Sequence, residues 1–384
     1  MKDSVKEKIM GVFLVIFQTL VLVGITLFAV IPFSCKVTTE GIEIIGGDYS
    51  APAIESVNVI DENTVTMSFS ESVTVRNVIV SPFIPGVSDS LSHSDSSELS
   101  PSLAAASGQY GMLNTVVTES EDKKSVTFTF DEKTAIGKSY EVFGTVEDEI
   151  GNTLTFCVPF TGFNSSVPKI IMTEVQIKYQ KATSKGNTIY RGEYVEFLAL
   201  EAGNLAGLEL ISASDGEEKK YVFPAIDVKQ GEIFIVHFRT IGEGCVNELG
   251  EDLNSATAPH SKDGVRDFWS ESTVAHFNDS SDIILLKNTV DGSIMDGLMY
   301  AAPEAAEWKS SVAETAVEIS DAGLYGSSDI SNASSSKGCT TLKALTRVDA
   351  LSILELAMEK EEFEYPVPVD ENSWIVEPAS PGVL

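Results

Sequence analysis

The sequence predicts an all-β protein: two β-sandwich domains in tandem after an N-terminal apolar helix, with a helical insertion in the second domain. Three observations carry this expectation. The 384 residues exceed one domain of ordinary size. Short alternating apolar and polar runs, separated by turn residues, recur along both halves of the chain. The first residues differ from all that follows: Lys2, Lys6 and Lys8 precede an apolar run from Ile9 to Phe33, broken only mildly by Gln18, Thr19 and Thr26.

That run gives a helix no polar face, which argues against a packed helix of a soluble domain. Its length suits a bilayer, and the positive flank would hold the N-terminus in the cytoplasm with the bulk of the chain outside. It closes on Ile31-Pro32-Phe33-Ser34-Cys35. A small residue before a cysteine resembles the bacterial lipoprotein cleavage site, which makes Cys35 the candidate lipid-attachment residue, although Pro32 and Phe33 replace the usual Leu and small residue. Residues 1–35 are therefore expected to be a signal peptide, or a membrane anchor through residues 9–33 if uncleaved. Either way the N-terminus is the membrane partner and the domains lie in the bacterial cell envelope, outside the cytoplasm.

Composition narrows the function classes. Hydrophobic residues make up 43% of the chain, enough for real cores, and 26 basic against 57 acidic residues give a net charge of −31 at pH 7. Such a surface repels phosphate polyanions, so nucleic acid is not an expected partner, and the charge reads first as solubility. Beyond Cys35 only Cys157, Cys245 and Cys339 remain. Cys157, in the strand-like run Thr153 to Phe160, reads as a small buried hydrophobe. Cys245 and Cys339 lie in Gly-containing stretches and form a candidate disulfide in an oxidising compartment. No spacing resembles a zinc site.

The first domain is expected over residues 50–165. Ile54, Val57 and Val59, then Asp61-Glu62-Asn63, then Val65, Met67 and Phe69 read as two strands around a polar turn. Further strands are expected at Val73 to Val80, Ser125 to Phe130, Ser139 to Val146 and Thr153 to Phe160. The Ser-rich stretch Gly86 to Gly108, with His93 inside it, reads as an inserted exposed loop. Pro52-Ala53-Ile54-Glu55-Ser56-Val57 with Asn63 to Glu71, and Ser139-Tyr140-Glu141-Val142 with Asp148-Glu149-Ile150-Gly151-Asn152, resemble the opening and closing of the bacterial immunoglobulin-like domains of surface proteins. In the closing turn Gly151 supplies a positive φ while Asp148 and Asn152 bond the local backbone, with calcium binding as the alternative use of the two side chains.

The second domain is expected over residues 168–384. Lys169 to Val175, Tyr194 to Leu200, Tyr221 to Phe223 and Ile233 to His237 read as strands, followed by a hairpin from Asp282 to Tyr300 with Asp291-Gly292 in its turn. Ile171-Met172-Thr173-Glu174-Val175, Glu193-Tyr194-Val195-Glu196-Phe197, Asn204-Leu205-Ala206-Gly207-Leu208, Gln230 to Val236 and the terminal Asn372-Ser373-Trp374 with Pro378 to Gly382 resemble the lamin-tail domain. That resemblance implies an immunoglobulin-like sandwich, also found in exported bacterial proteins. Residues 303–362 read as an insertion: a helix in Pro303 to Val317 with Trp308, Val312 and Ala316 at helical spacing, a flexible Ser/Gly loop from Leu324 to Gly338, and a helix capped by Asp349 with Leu351, Leu354 and Met358 on one face.

An enzyme needs convergent acids, bases or nucleophiles, and the acidic loop Glu243 to Asp282 is the place to look. It holds His260, Asp263, Arg266, Asp267, Glu271, His276, Asn278, Asp279 and Asp282. No zinc-protease, calcium-loop, nucleophile-elbow or P-loop motif accompanies them, so the sequence names no catalytic residue, metal ligand or cofactor. A cation steadying this loop is one reading, and His237 reads as a structural strand residue. The expected function is a non-enzymatic structural, adhesive or binding protein whose sandwiches present loops and edges to a protein or polysaccharide. The alternative is a metal-dependent, nuclease-like hydrolase using His260 and His276.

Overall fold

The computed structural model describes residues 35–38, 41–44, 50–83, 112–184, 187–214, 220–238, 243–270, 272, 274–360 and 362–384. The apolar run 9–33 and the Ser-rich stretch with His93 lie outside them. Cys35 opens a short strand, β1 (Cys35–Thr38), paired antiparallel with β2 (Gly41–Ile44). Among the described residues no helix is long and apolar enough to cross a membrane.

Seven strands follow: β3 (Ile54–Asp61), β4 (Thr64–Phe69), β5 (Thr74–Pro82), β6 (Thr115–Glu119), β7 (Ser125–Phe130), β8 (Ser139–Glu147) and β9 (Thr153–Thr161). They form one sheet in the order β3-β4-β7-β6 and another in the order β5-β8-β9. Lettered A to G along the chain, these are ABED and CFG, the connectivity of a constant-type immunoglobulin sandwich. Period-two alternation drives the packing: Val65, Met67 and Phe69 of β4 and Val126, Phe128 and Phe130 of β7 point inward to meet Val142 and Val146 of β8 and Phe156 and Phe160 of β9. The same alternation turns Cys157 outward, and it is exposed, contrary to the buried hydrophobe the sequence suggested. Strand β6 escaped the sequence reading because it buries no residue fully and leaves Val116 exposed.

One bond locks the corner before β8. The Tyr140 hydroxyl accepts the Ala135 amide at 2.9 Å while its ring stacks on Phe160 at 5.4 Å, the tyrosine corner of immunoglobulin-like sandwiches. Tyr140→Phe keeps the ring but removes the acceptor of the Ala135 amide. The expected cost is about 0.5–1.5 kcal/mol, read as a lower urea midpoint at unchanged slope; an unchanged midpoint would show the bond is dispensable. In the closing turn Gly151 has φ 96°, and Asp148 spends Oδ1 on the Ile150 and Asn152 amides and Oδ2 on Asn152 Nδ2. Both side chains are thus engaged in reversing the chain.

The second half is built on two larger sheets. One has the order β19 (Arg266–Trp269), β18 (Ile233–His237), β13 (Tyr194–Ala199), β10 (Ile170–Gln176), β23 (Lys343–Arg347), β24 (Trp374–Pro378); the other has the order β16 (Tyr221–Val222), β15 (Leu208–Ser212), β20 (Ser281–Asn288), β21 (Ile294–Ala301), β22 (Ser334–Ser335). Two small pairs, β11 (Gln180–Ser184) with β12 (Asn187–Arg191) and β14 (Gly203–Asn204) with β17 (Asp227–Val228), complete the strands. Between the sheets lie Met172, Val195, Phe197, Phe234, Val236, Phe268, Leu286, Leu298 and their neighbours. The protein is therefore mainly β, with two sandwiches in tandem.

Helices cover the outer faces of both large sheets. Helix α1 (Ser310–Asp321) sets Val312, Ala316 and Ile319 on Ile283, Leu285 and Met299; helix α2 (Ala350–Glu359) sets Ala350, Ile353 and Ala357 on Ile171, Leu198 and Leu200. With both faces covered, β10, β13 and β21 are buried throughout, so they read as apolar runs rather than as alternation. Three expectations need correction here. Trp308 precedes α1 and donates its indole N–H to Ser328 O. Leu351 and Met358 face solvent because the small alanines, not the large side chains, let α2 lie close on the sheet, and Asp349 takes Arg347 Nε instead of capping the helix. The stretch read as a loop, Leu324 to Gly338, buries Leu324 and Tyr325 and contributes β22. Residues 303–362 also supply β23, which joins β24 to the rest of its sheet.

Candidate functional site

The loop 243–282 is organised by its own carboxylates. Buried Glu248 accepts the Ser255, Ala256 and Asp267 amides, and Arg266 donates to Glu248 O, Gly250 O and Glu232. Asp282 accepts hydroxyls from Ser212 and Ser214 and the Asn278 and Ile283 amides. Asp263 and Asp279 lie in the exposed stretches of the loop, and Glu271 lies outside the described residues.

Strand parity separates the two loop histidines. In β18, Val236 and the following Phe238 face the sandwich core while Ile235 and His237 face outward. His276 stacks on Phe238 at 4.1 Å, on the core side; His260 lies over Tyr194 at 5.1 Å, on the outer side. Among the described residues no group of three His, Cys, Asp or Glu is placed to hold a metal.

The outer side does assemble a polar cluster that sequence reasoning missed. His237 Nε2 lies 2.6 Å from Asp267 Oδ1, and the His237 ring stacks on Trp269 at 4.0 Å, because the parallel pairing of β18 with β19 puts Asp267 opposite Ile235 and Trp269 opposite His237. His237 is 2% and Asp267 1% exposed, so no substrate reaches the pair without an opening of the loop above it. Burial, reinforced by the neighbouring His237 and Arg191 side chains, pushes His260 down to about 4, which keeps it neutral at pH 7. Its backbone sits at φ 76°. Next to this cluster, buried Glu174 accepts the Tyr194 hydroxyl and the Ser380 amide and hydroxyl, and Glu196 accepts the Thr173 hydroxyl at 2.7 Å and the Gly382 amide at 2.5 Å. Lys262 Nζ closes over the same tail by donating to Gly382 O. The C-terminal segment is thus strapped across the sheet by two buried carboxylates.

Among the described residues the candidate pair Cys245 and Cys339 is not joined in a disulfide. Cys339 packs against the second core, where burial pushes its thiol up to about 11, while Cys245 lies in the turn that opens the acidic loop.

A wider opening lies where the two sandwiches meet. Asn164 Nδ2 donates to Asn204 O at 2.7 Å and Ala206 O at 2.8 Å, and the Asn204 amide donates to Ser166 O. Gly137 approaches so closely that a Cβ there would come 2.2 Å from Ala225 Cβ. Beside this junction runs a groove of about 1380 Å³, lined by Val57 and Val59 of β3, Phe160 of β9, Phe163, Val222 of β16 and Val290. Strands β3, β9 and β16 are all edges of their sheets, and Ile60, Val222 and Val290 are exposed at its rim. The sequence marks this place only as the polar connector Asn164-Ser165-Ser166; the groove arises from how the modules dock.

Fold and junction together define a tandem β-sandwich protein whose first module has immunoglobulin connectivity. Residues 168–376 match the family TP_1001_2nd, described as "protein second domain", and the chain belongs to that family. An uncharacterised protein of Treponema pallidum (strain Nichols) is 27% identical over 216 residues, 56% of this chain and 52% of the relative. The chain thus spans about half the length of that curated relative. Among solved structures, the N-terminal part of the bacterial S-layer protein SbsC is similar at 16% identity over 39% of this chain and 41% of that one, with a TM-score of 0.23. A DUF4876 family protein from Bacteroides thetaiotaomicron VPI-5482 is similar at 11% identity over 66% and 79%, with a TM-score of 0.22. At these scores neither adds to the fold read from the chain's own strands.

Proposed function

We propose that this is a non-enzymatic, envelope-tethered binding or adhesive protein that engages a protein or polysaccharide through the junction of its two sandwiches. The observation that carries the reading is the groove: three sheet edges and exposed apolar side chains meet at a junction fixed by Asn164. Unpaired edges offer backbone donors and acceptors to an extended ligand, and an apolar lining supplies affinity. The tether is the N-terminal segment, with Cys35 as lipidation site or residues 9–33 as anchor. The resemblance of the second module to lamin-tail domains fits an exported protein, and the net charge of −31 argues against nucleic acid. The hydrolase alternative loses its proposed pair, because His260 and His276 lie on opposite sides of one sheet.

The test is retention of the purified protein on its own bacterium's cell envelopes, split into protein-stripped and polysaccharide-stripped fractions. Val290→Lys and Ile60→Lys are expected to weaken retention tenfold or more at unchanged thermal midpoint. Undiminished retention by both variants overturns the groove as the binding site. For the tether, intact-mass analysis is expected to show a chain beginning at acylated Cys35 that is lost in Cys35→Ala; an unprocessed chain from Met1 makes residues 9–33 the anchor.

A further inference from the structure

Charge is unevenly placed in the second sandwich. The chain carries 57 acidic against 26 basic residues. Yet residues 176–192 hold Lys178, Lys181, Lys185 and Arg191, and residues 330–348 hold Lys337, Lys343 and Arg347, with no Asp or Glu in either stretch. The fold brings the two stretches together. The first contains the β11/β12 hairpin and the second the turn that enters β23. The Gln176 side chain donates to Lys343 O at 3.4 Å, and Gln180 Oε1 accepts both the Thr341 hydroxyl at 3.1 Å and Arg191 Nη1 at 3.3 Å. Lys181 follows Gln180 in β11 and is exposed, as are Lys337 and Lys343. Lys178 lies beside them, holding Asp279 at 3.1 Å. Arg347 is turned inward to Asp296 and stands apart.

Strand direction sets where this surface lies. Strand β10 starts beside the junction, where Lys169 O accepts the Leu200 amide and Ser166 O the Asn204 amide, and runs away from it to Gln176. Strand β23 is antiparallel to β10, so Lys343 stands at the same far end. The chain enters the first module at that module's own far end, where Asn152 Nδ2 in the closing turn donates to Ser50 O. On the tether reading, the basic end therefore points away from the anchor. At physiological ionic strength a charge is felt over about 8 Å, so a partner arriving there meets the local cations rather than the net charge. Three of the four, Lys181, Lys337 and Lys343, are compact charges on flexible stems, without the fixed fork of Arg191. Gln180, Thr340 and Thr341 stand among them, with Leu342 exposed at the turn. Lysine is depleted where folded proteins meet; a flexible polymer bearing carboxylates or phosphates among hydroxyls suits both kinds of group. We propose that Lys181, Arg191, Lys337 and Lys343 form a second binding surface, separate from the junction groove, for an acidic polysaccharide.

The test is binding of the full chain, in detergent, to immobilised polygalacturonate, with dextran as the neutral reference. The parent is expected to bind the acidic polymer alone and to weaken about tenfold or more between about 50 and 250 mM salt, as contacts between cations and a polyanion do. Lys181→Glu with Lys343→Glu is expected to weaken binding about tenfold or more at unchanged thermal midpoint. Lys133→Glu with Lys229→Glu makes the same change of charge at exposed lysines elsewhere and is expected to stay within about twofold of the parent. If the first pair lowers the thermal midpoint, Lys337→Glu alone decides, with an expected loss of about threefold. Equal losses in the two pairs, binding to dextran, or no binding by the parent overturns the proposal. A loss confined to phosphatidylglycerol vesicles, with polygalacturonate binding unchanged, makes the partner a membrane surface and overturns it too. These variants leave Val290 and Ile60 in place, so failure here does not touch the groove.

Discussion

Asp296→Ala is expected to lower the stability of the second sandwich by about 3–5 kcal/mol, the cost of leaving one member of a buried ion pair alone. Asp296 and Arg347 meet at 3.2 Å with both side chains 0% exposed, one on β21 and the other on β23 of the facing sheet. Burial pushes the Asp296 carboxyl up, and Arg347 opposes that shift. The carboxylate also accepts the Met172 amide of β10, so its loss strands a guanidinium and a backbone donor together. Replacing both charged partners, Asp296→Leu with Arg347→Met, is expected to recover most of the loss, because apolar residues of like volume often replace a buried pair without penalty. Recovery stays short of complete by about 1–3 kcal/mol for the unpaired Met172 amide. Urea unfolding followed by tryptophan fluorescence measures all three proteins. A single variant within about 1 kcal/mol of the parent, or a double variant worse than the single, would show that this pair does not govern the packing of the two sheets.

How much of this was legible depends on where each element's partner lies in the chain. The hairpins β3/β4, β8/β9 and β20/β21 are written locally, as apolar positions at period two around turn residues. Strand β23, Lys343-Ala344-Leu345-Thr346-Arg347, hides in the sequence because its buried Arg347 makes sense only against Asp296, 51 positions away. Strand β19 is masked likewise by Arg266 and Asp267, whose partners are Glu232, Glu248 and His237. The face of α2 was misread because alanine, weakly apolar by itself, is what a close helix-on-sheet contact selects. At the candidate sites the glutamates were visible as letters but not as roles: Glu174 of β10, Glu193 just before β13 and Glu196 of β13 are buried acceptors for Tyr194 and Ser380, for the His276 amide, and for Thr173 and Gly382. These bonds give a physical reason for acidic residues at those three positions. The junction groove had no local sign, since it belongs to neither module alone.

The C-terminal strap makes the protein's stability depend on pH in an unusual direction, and Glu196→Gln is the variant that isolates it. Burial raises the Glu196 carboxyl from its ordinary 4.5 to about 7, with Glu174 adding to the shift and the Thr173 hydroxyl, the Gly382 amide and the Lys262 charge opposing it. Between those two values the folded protein keeps a proton that the unfolded chain has released. Stability from this group is therefore complete below about pH 4.5, falls as pH rises through the window, and is lost above about 7. At 1.36 kcal/mol per unit the loss is about 3 kcal/mol. Glutamine retains an acceptor for the Gly382 amide and cannot ionise, so E196Q is expected to match the parent near pH 4.5 and to exceed it by about 2–4 kcal/mol at pH 8. Urea midpoints of both proteins at the two pH values decide the matter. A difference of the same size at both would mean that Glu196 is ionised in the folded protein throughout, and that the tail is held over a charged carboxylate.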